Sequence, residues 1–203
     1  MTSSIHRDIN RSRSGFTLVE ALVALTLLVM ASSVILLSVE TSVGTASQSV
    51  ESAIAEGIAD QVIDEVLGNR YHAIGATPDQ YPLGPSSWEQ AGNGRERFND
   101  IDDFHGFLTP NAEDRWGYAL GTGDGEGGQR QTDLQVRDGF FDNWRQKIEV
   151  YYVNESNLSQ RLSGNQTSNF RAVEVTISHT APDGTLHLLA KRRRVLAYVP
   201  VPQ

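Results

Sequence analysis

The hydrophobic pattern of the chain begins with a run from Phe16 to Val39 that is almost wholly apolar and carries one early carboxylate, Glu20. At 1.5 Å per residue a helix of this length spans roughly 36 Å, enough to cross the hydrocarbon of a bilayer. The pattern then changes. Val50, Ile54, Ile58, Val62 and Val66 recur every fourth residue, with Val43 a heptad before them, while Glu51, Glu56, Asp60, Asp64 and Glu65 take other positions. This predicts an amphipathic continuation of the same helix, with one apolar stripe covered by a sheet and the remaining faces in water. No proline interrupts Phe16 to Leu67, so an unbroken helix would reach roughly 78 Å. Gly44 and Gly57 are mild weak points, each costing about 1 kcal/mol against alanine. Gly68-Asn69 supplies the stop.

Beyond the stop, Tyr71 to about Gly94 is rich in turn formers, including Pro78, Pro82, Gly84 and Pro85, and predicts an irregular connector wrapping the domain. Tyr81 and Trp88 are expected to pin it onto the core. The C-terminal third alternates with period two: Lys147–Val153 and Phe170–Ser178 read as strands. The Ala181-Pro-Asp-Gly-Thr185 turn leads into Leu186–Val199, so the last two strands should form a hairpin. Phe140, Phe141 and Trp144 are expected to fill the space between sheet and helix. The predicted fold class is α+β, a long N-terminal helix whose outer half packs on an antiparallel sheet of three to five strands. The segments are 1–15, a leader; 16–39, a membrane helix; 40–68, an amphipathic stem; and 69–203, one globular domain.

Composition narrows the possibilities. The chain has 203 residues, a net charge of −8 and no cysteine, so its stability must come from packing and hydrogen bonds. Without a broad basic stretch, no nucleic-acid partner is expected. Lys191-Arg192-Arg193-Arg194 is the one basic run; on a strand these residues alternate faces, which suits a solvated edge better than a phosphate backbone. Arg7, Arg11 and Arg13 against the single acid Asp8 predict an N-terminus held in the cytoplasm. A secretory signal would place its cleavage site after a shorter apolar core, whereas Gly15 precedes the run here, so cleavage at that glycine leaves the helix on the mature chain. Glu20 is the costly feature: a charge toward the bilayer centre costs about 2.5 kcal/mol or more.

Gly15-Phe16-Thr17-Leu18-Val19-Glu20 resembles the processing site of the type IV prepilins and type II secretion pseudopilins. That resemblance implies a prepilin peptidase cutting after Gly15 and methylating Phe16. It also implies that Glu20 pairs with the N-terminal amine of a neighbouring subunit, so that assembly satisfies a charge the isolated subunit cannot. The fold implied is pilin-like, a long helix on an antiparallel sheet. The implied location is the bacterial inner membrane, single-pass, with the domain outside the cytoplasm, followed by incorporation among other pilin or pseudopilin subunits. Many pilin-like proteins carry a proline within the apolar half, and this chain does not. The expected function is a minor pilin or pseudopilin of a type IV pilus or type II secretion apparatus. The alternative is a single-pass membrane-anchored extracytoplasmic binding protein that never polymerises.

Phe98-Asn-Asp100-Ile-Asp102-Asp103-Phe104-His105-Gly106 resembles a segment of D-class minor subunits of the mannose-sensitive haemagglutinin type of pilus, with Asn99 in place of an acid. Asp100, Asp102 and Asp103 could supply oxygen ligands to Ca²⁺. The favoured reading is a cluster of Asx turns around an aromatic plug of Phe98, Phe104 and Phe107, with no cofactor. The spacing excludes an EF-hand. Gly121–Gly128 contains a formal G-x-G-x-x-G, but Asp124 and Glu126 would repel a phosphate, so a loop is expected. His72, His105, His179 and His187 fit no metal or nucleophile pattern, although His179 and His187 flank the hairpin turn. No enzyme activity is expected.

Overall fold

The structure is a computed structural model that describes Gly15 and residues 17–200. Arg7, Asp8, Arg11, Arg13 and Phe16 lie outside the described residues. The chain divides into two units, Met1–Gln48 and Ser49–Gln203, and the first helix, α1 (Leu18–Leu67), contributes to both.

In the first unit, α1 starts because Thr17 caps it: the Thr17 hydroxyl oxygen accepts the backbone N–H of Glu20 at 3.3 Å. The apolar residues that follow, Leu18 to Leu37 among them, are exposed, and α1 is long and apolar enough to cross a membrane. The hydroxyls within this run are satisfied internally. Thr26 donates to the Val23 carbonyl, Ser32 to Leu28 and Ser33 to Val29, at 2.8–2.9 Å. These three hydroxyls thereby keep their hydrogen bonds inside the helix, as a lipid environment requires.

The second unit contains the rest of α1, one sheet and the loops around it. Its strands are β1 (Leu108–Thr109), β2 (Trp144–Asn154), β3 (Asn157–Arg161), β4 (Phe170–Thr180) and β5 (Leu186–Ala197). They run antiparallel in the order β1-β2-β4-β5, with β3 pairing the far end of β2. The predicted strands Lys147–Val153 and Phe170–Ser178 fall inside β2 and β4, and Leu186–Val199 overruns the end of β5 by two residues. The Ala181–Thr185 turn closes with a 2.8 Å Ala181 N–H to Thr185 carbonyl bond, and Gly184 supplies its positive φ of 83°. β1 and β3 are additions: β1 is too short to show a period, and every residue of β3 is exposed.

One hydrophobic core joins the stem to the sheet. Ala55, Ile58, Ala59, Val62, Ile63 and Val66 bury against a core that includes Ile148, Val150, Val173, Val175 and Ile177. The expected every-fourth stripe needs correcting. Ile58, Val62 and Val66 are buried, but Val43 and Val50 are 64% and 57% exposed, and Ala55, Ala59 and Ile63 complete the covered face. A row of residues four apart drifts about 40° around the helix at each step, so it leaves any fixed face within a few turns. The i, i+3, i+4 set stays on it. Gly68 ends α1 as the sequence indicated, its N–H bonding the Asp64 carbonyl at 3.0 Å while the Asn69 side chain donates to the Glu65 carbonyl at 2.8 Å.

Two aromatic placements also need correcting. Tyr81 and Trp88 are 56% and 64% exposed, so they do not pin the connector. Leu83 packs on the core instead, and the carbonyls of Pro78 and Gln80 accept hydrogen bonds from the Tyr152 hydroxyl at 3.1 and 2.8 Å. Backbone oxygens held by a buried hydroxyl fix the loop without burying a large ring. Trp88 sits on the short helix α2 (Ser87–Gln90), which the Ser86 and Glu89 side chains close as a capping box, and Arg97 stacks over its ring. Phe140 is 43% exposed and only flanks Trp144, whereas Trp144 is buried and Phe141 packs partly against the core.

The drift of the stripe yields a direct test. Ile63→Ala should destabilise the domain by about 2–4 kcal/mol, and Val50→Ala should stay within about 0.5 kcal/mol. Thermal unfolding of the two full-length variants in detergent checks this, and equal losses would contradict the assigned face.

Candidate functional site

The residues to which the resemblance assigns processing and assembly lie at or just before the head of α1. Gly15 is exposed, and among the described residues beyond its chain neighbours no atom lies within 4 Å of where a side chain would begin. Glu20 is exposed in the first turn, where the helix end favours a negative charge. Among the described residues its carboxylate has no hydrogen-bond or ionic partner. Phe16, whose new amine the resemblance would place after cleavage, is outside the described residues.

The acidic segment forms a second, buried constellation. Asp100, Asp102 and Asp103 are all at most 3% exposed, and one carboxylate oxygen from each lies within 4.8 Å of the others. Local backbone explains much of this. Asp103 Oδ2 accepts the N–H groups of Asn99 and Asp100 at 2.8 and 3.2 Å, and Asp100 Oδ1 accepts that of Asp102 at 3.1 Å. The Asp100–Asp102 bond is an Asx turn as expected, whereas Asp103 reaches back to the amides three and four residues before it. The aromatic plug is also present: Phe98 meets Phe104 and Phe107 edge to face, with centroids 5.1 and 6.0 Å apart.

The residue that completes the constellation is Arg171 on β4, fully buried and not anticipated from the sequence. Its NH1 donates to Asp102 Oδ1 at 3.1 Å and to the Tyr71 carbonyl at 2.6 Å. Its NH2 donates to the Pro78 carbonyl at 3.0 Å and to the Tyr152 hydroxyl at 2.9 Å. The guanidinium also lies over the rings of Tyr71 and Tyr152. The other Asp102 oxygen accepts the Gln80 side-chain amide. Both Asp102 oxygens are therefore engaged within the chain. A signal for Arg171 did exist: it shares the alternation of Val173, Val175 and Ile177, which places it on the inward face of β4.

Arg95 repeats the device elsewhere. It is 1% exposed, grips Glu65 of the stem through two bonds of 3.1 and 2.9 Å, and lies over the Phe107 ring. Being in a loop, it had no periodic signal. The basic run of β5 alternates as expected. Lys191 pairs with Glu174 at 2.8 Å, Arg192 reaches Glu56 and Asp60 of the stem at 2.9 and 3.2 Å, and Arg193 bonds the Tyr151 hydroxyl at 3.0 Å. In the glycine-rich loop the amides of Glu126 and Gly128 bond Asp124 Oδ1, so these donors serve the chain's own carboxylate. His179 and His187 face each other across the β4–β5 pairing.

Burial is the main force on the acids. It pushes the Asp100 carboxyl up to about 8, with the hydrogen bond and charge of Asp102 adding to the effect. It pushes Asp103 up to about 6 despite two backbone donors. Both values lie above those of an unfolded chain, so folding favours the protonated forms. Their contribution to stability is complete below about pH 4, falls through about 6, and is lost as pH rises past about 8. Asp100→Asn keeps the oxygen that accepts the Asp102 N–H and removes the ionisation. It should melt with the wild type near pH 5 and above it at pH 8.5. Parallel melting curves across that range would contradict the assignment.

Residues 10–36 match the family model for the prokaryotic N-terminal methylation motif. No curated protein and no solved structure matches the chain significantly. The match covers the end of the leader, Gly15, Phe16, Glu20 and most of the apolar run, the same residues that carry the resemblance. With a membrane-length N-terminal helix followed by a five-stranded antiparallel sheet, the chain is a methylation-motif protein of pilin-like layout, consistent with the type IV pilin and pseudopilin family.

Proposed function

We propose that the chain is a minor pilin or pseudopilin, a structural and non-catalytic subunit of a type IV pilus or a type II secretion pseudopilus. A prepilin peptidase cuts it after Gly15 and methylates Phe16, and the subunit moves from the bacterial inner membrane into the filament with its domain outside the cytoplasm. The observation that carries this reading is the methylation motif at 10–36 running directly into an apolar helix with an unpaired carboxylate in its first turn. A plain anchor has no use for Glu20, which costs free energy in lipid and gains a strong charge pair only when a cation is brought to it. The finer placement among D-class minor subunits rests on the segment from Phe98 to Phe107.

The acidic cluster serves the domain as a turn built on Arg171 and needs no ion in this reading. What supports this is that Arg171 and Gln80 already hold both Asp102 oxygens. Melting of the full chain should be the same in Ca²⁺ and in chelator. An ion present at 100 times its dissociation constant would add about 2.7 kcal/mol, and a rise of several degrees would establish Ca²⁺ as a ligand.

The filament reading is tested by intact mass and N-terminal sequencing after co-expression with a prepilin peptidase. The expected product begins at methylated Phe16, Gly15→Ala leaves the precursor uncut, and Glu20→Ala is cut but fails to enter filaments. A leader retained where a control prepilin is cut would favour the non-polymerising anchor, and normal incorporation of Glu20→Ala would remove the charge-pairing account.

A further inference from the structure

A cavity of about 430 Å³ opens in the second unit beside β2. Its position follows from how the outer edge of β2 is covered. Ile148 exchanges hydrogen bonds with Gly106 and Phe107, and the Tyr152 carbonyl accepts the Leu162 N–H at 2.9 Å. Between them no strand covers the edge, and the Val150 N–H bonds Nδ1 of His105 at 3.3 Å instead. An imidazole thus stands where a neighbouring strand would, and space remains beside it.

The chemistry of the walls is one-sided. Tyr81, Leu83 and Tyr151 supply flat apolar surface, while His105 and Arg161 supply hydrogen-bond donors. Because Nδ1 of His105 accepts from Val150, its proton sits on Nε2, and burial keeps the ring neutral by lowering its pKa. The Arg161 guanidinium lies 4.4 Å above the Tyr151 ring, half exposed, and among the described residues its only carboxylate contact is a long 3.9 Å approach by Glu149. Most of its donors remain uncommitted. Among the described residues no aspartate or glutamate lines the cavity, in a chain whose net charge is −8. Pockets of this size take small organic molecules, with apolar walls giving area and a few polar groups fixing orientation.

We propose that this cavity binds a small organic carboxylate with a flat apolar body, the ring lying among Tyr81, Leu83 and Tyr151 and the carboxylate meeting Arg161. Arg161 is the specificity-determining residue and His105 a neutral donor at the cavity wall. No residue lining the cavity belongs to α1.

The test uses the full chain in zwitterionic detergent with ¹³C-labelled histidine, read by NMR. The probes are 3-phenylpropionate, its neutral isostere 3-phenylpropanamide, and acetate. 3-Phenylpropionate should shift the His105 imidazole signals saturably and leave His179 and His187 unmoved. The amide should need about tenfold more ligand, since it lacks the charge-assisted bond to Arg161, and acetate should fail for want of a ring. Arg161→Gln, on an exposed strand, should remove the preference for the carboxylate, with unchanged His179 and His187 signals reporting an intact fold. An unmoved His105 through the low-millimolar range, equal binding of acid and amide, or a preference that survives Arg161→Gln would each overturn the proposal.

Discussion

The globular unit depends on a guanidinium that cannot reach water. Arg171 is fully buried, so each partner it finds becomes a structural fixture. It joins β4 to the connector through the carbonyls of Tyr71 and Pro78, to the acidic turn through Asp102, and to β2 through Tyr152. Removing one partner from a buried pair costs about 3–5 kcal/mol because the other charge is left unmatched. That asymmetry makes the loops obligatory: a connector with few large buried side chains is held because the charge behind it needs its carbonyls. In a domain without cysteines, this pair and the Arg95–Glu65 bridge tie loop to sheet and loop to stem, a task disulfides perform in many extracytoplasmic domains.

The same helix meets two different demands along its length. In the first unit every side chain from Leu18 onward is exposed, and the hydroxyls turn inward to their own backbone, a surface suited to lipid or to other helices. In the second unit one face is closed by the sheet while Glu56 and Asp60 reach Arg192 of β5. Val43 and Val50 are apolar without cover inside the chain. Scattered exposed valines need no explanation in a soluble surface.

How much of this could be read from the residues follows from which signals are periodic. β2, β4, β5 and their turn were legible because alternation and a Pro-Asp-Gly turn are local properties. The stop at Gly68 was legible for the same reason. The covered face of the stem was only half legible, since the every-fourth row tracks a slightly different line from the face the sheet covers, and alanines at 55 and 59 give little hydrophobic signal. Tyr81 and Trp88 misled because ring size was taken for anchoring, when carbonyls and a tyrosine hydroxyl do that job. At the head of α1, the Gly15-Phe16 and Glu20 pattern falls inside the matched methylation motif, which is a pattern of sequence and not of fold. The acidic turn was legible in its aromatic plug and in the Asx turn of Asp100, but not in its counter-ion, which comes from a strand 69 residues later.

Tyr152 shows how closely the structural and binding features are tied. Its hydroxyl belongs to the Arg171 network and fixes the connector, while the same residue lines the cavity beside His105. Tyr81 follows directly after Gln80, whose backbone oxygen that hydroxyl holds. The backbone before the exposed ring is therefore held, through Tyr152, by the buried Arg171 network. This accounts for a tyrosine that neither packs in the core nor lies free on a loop: its backbone is anchored by the structure behind it, and its ring is left available to whatever enters from solvent.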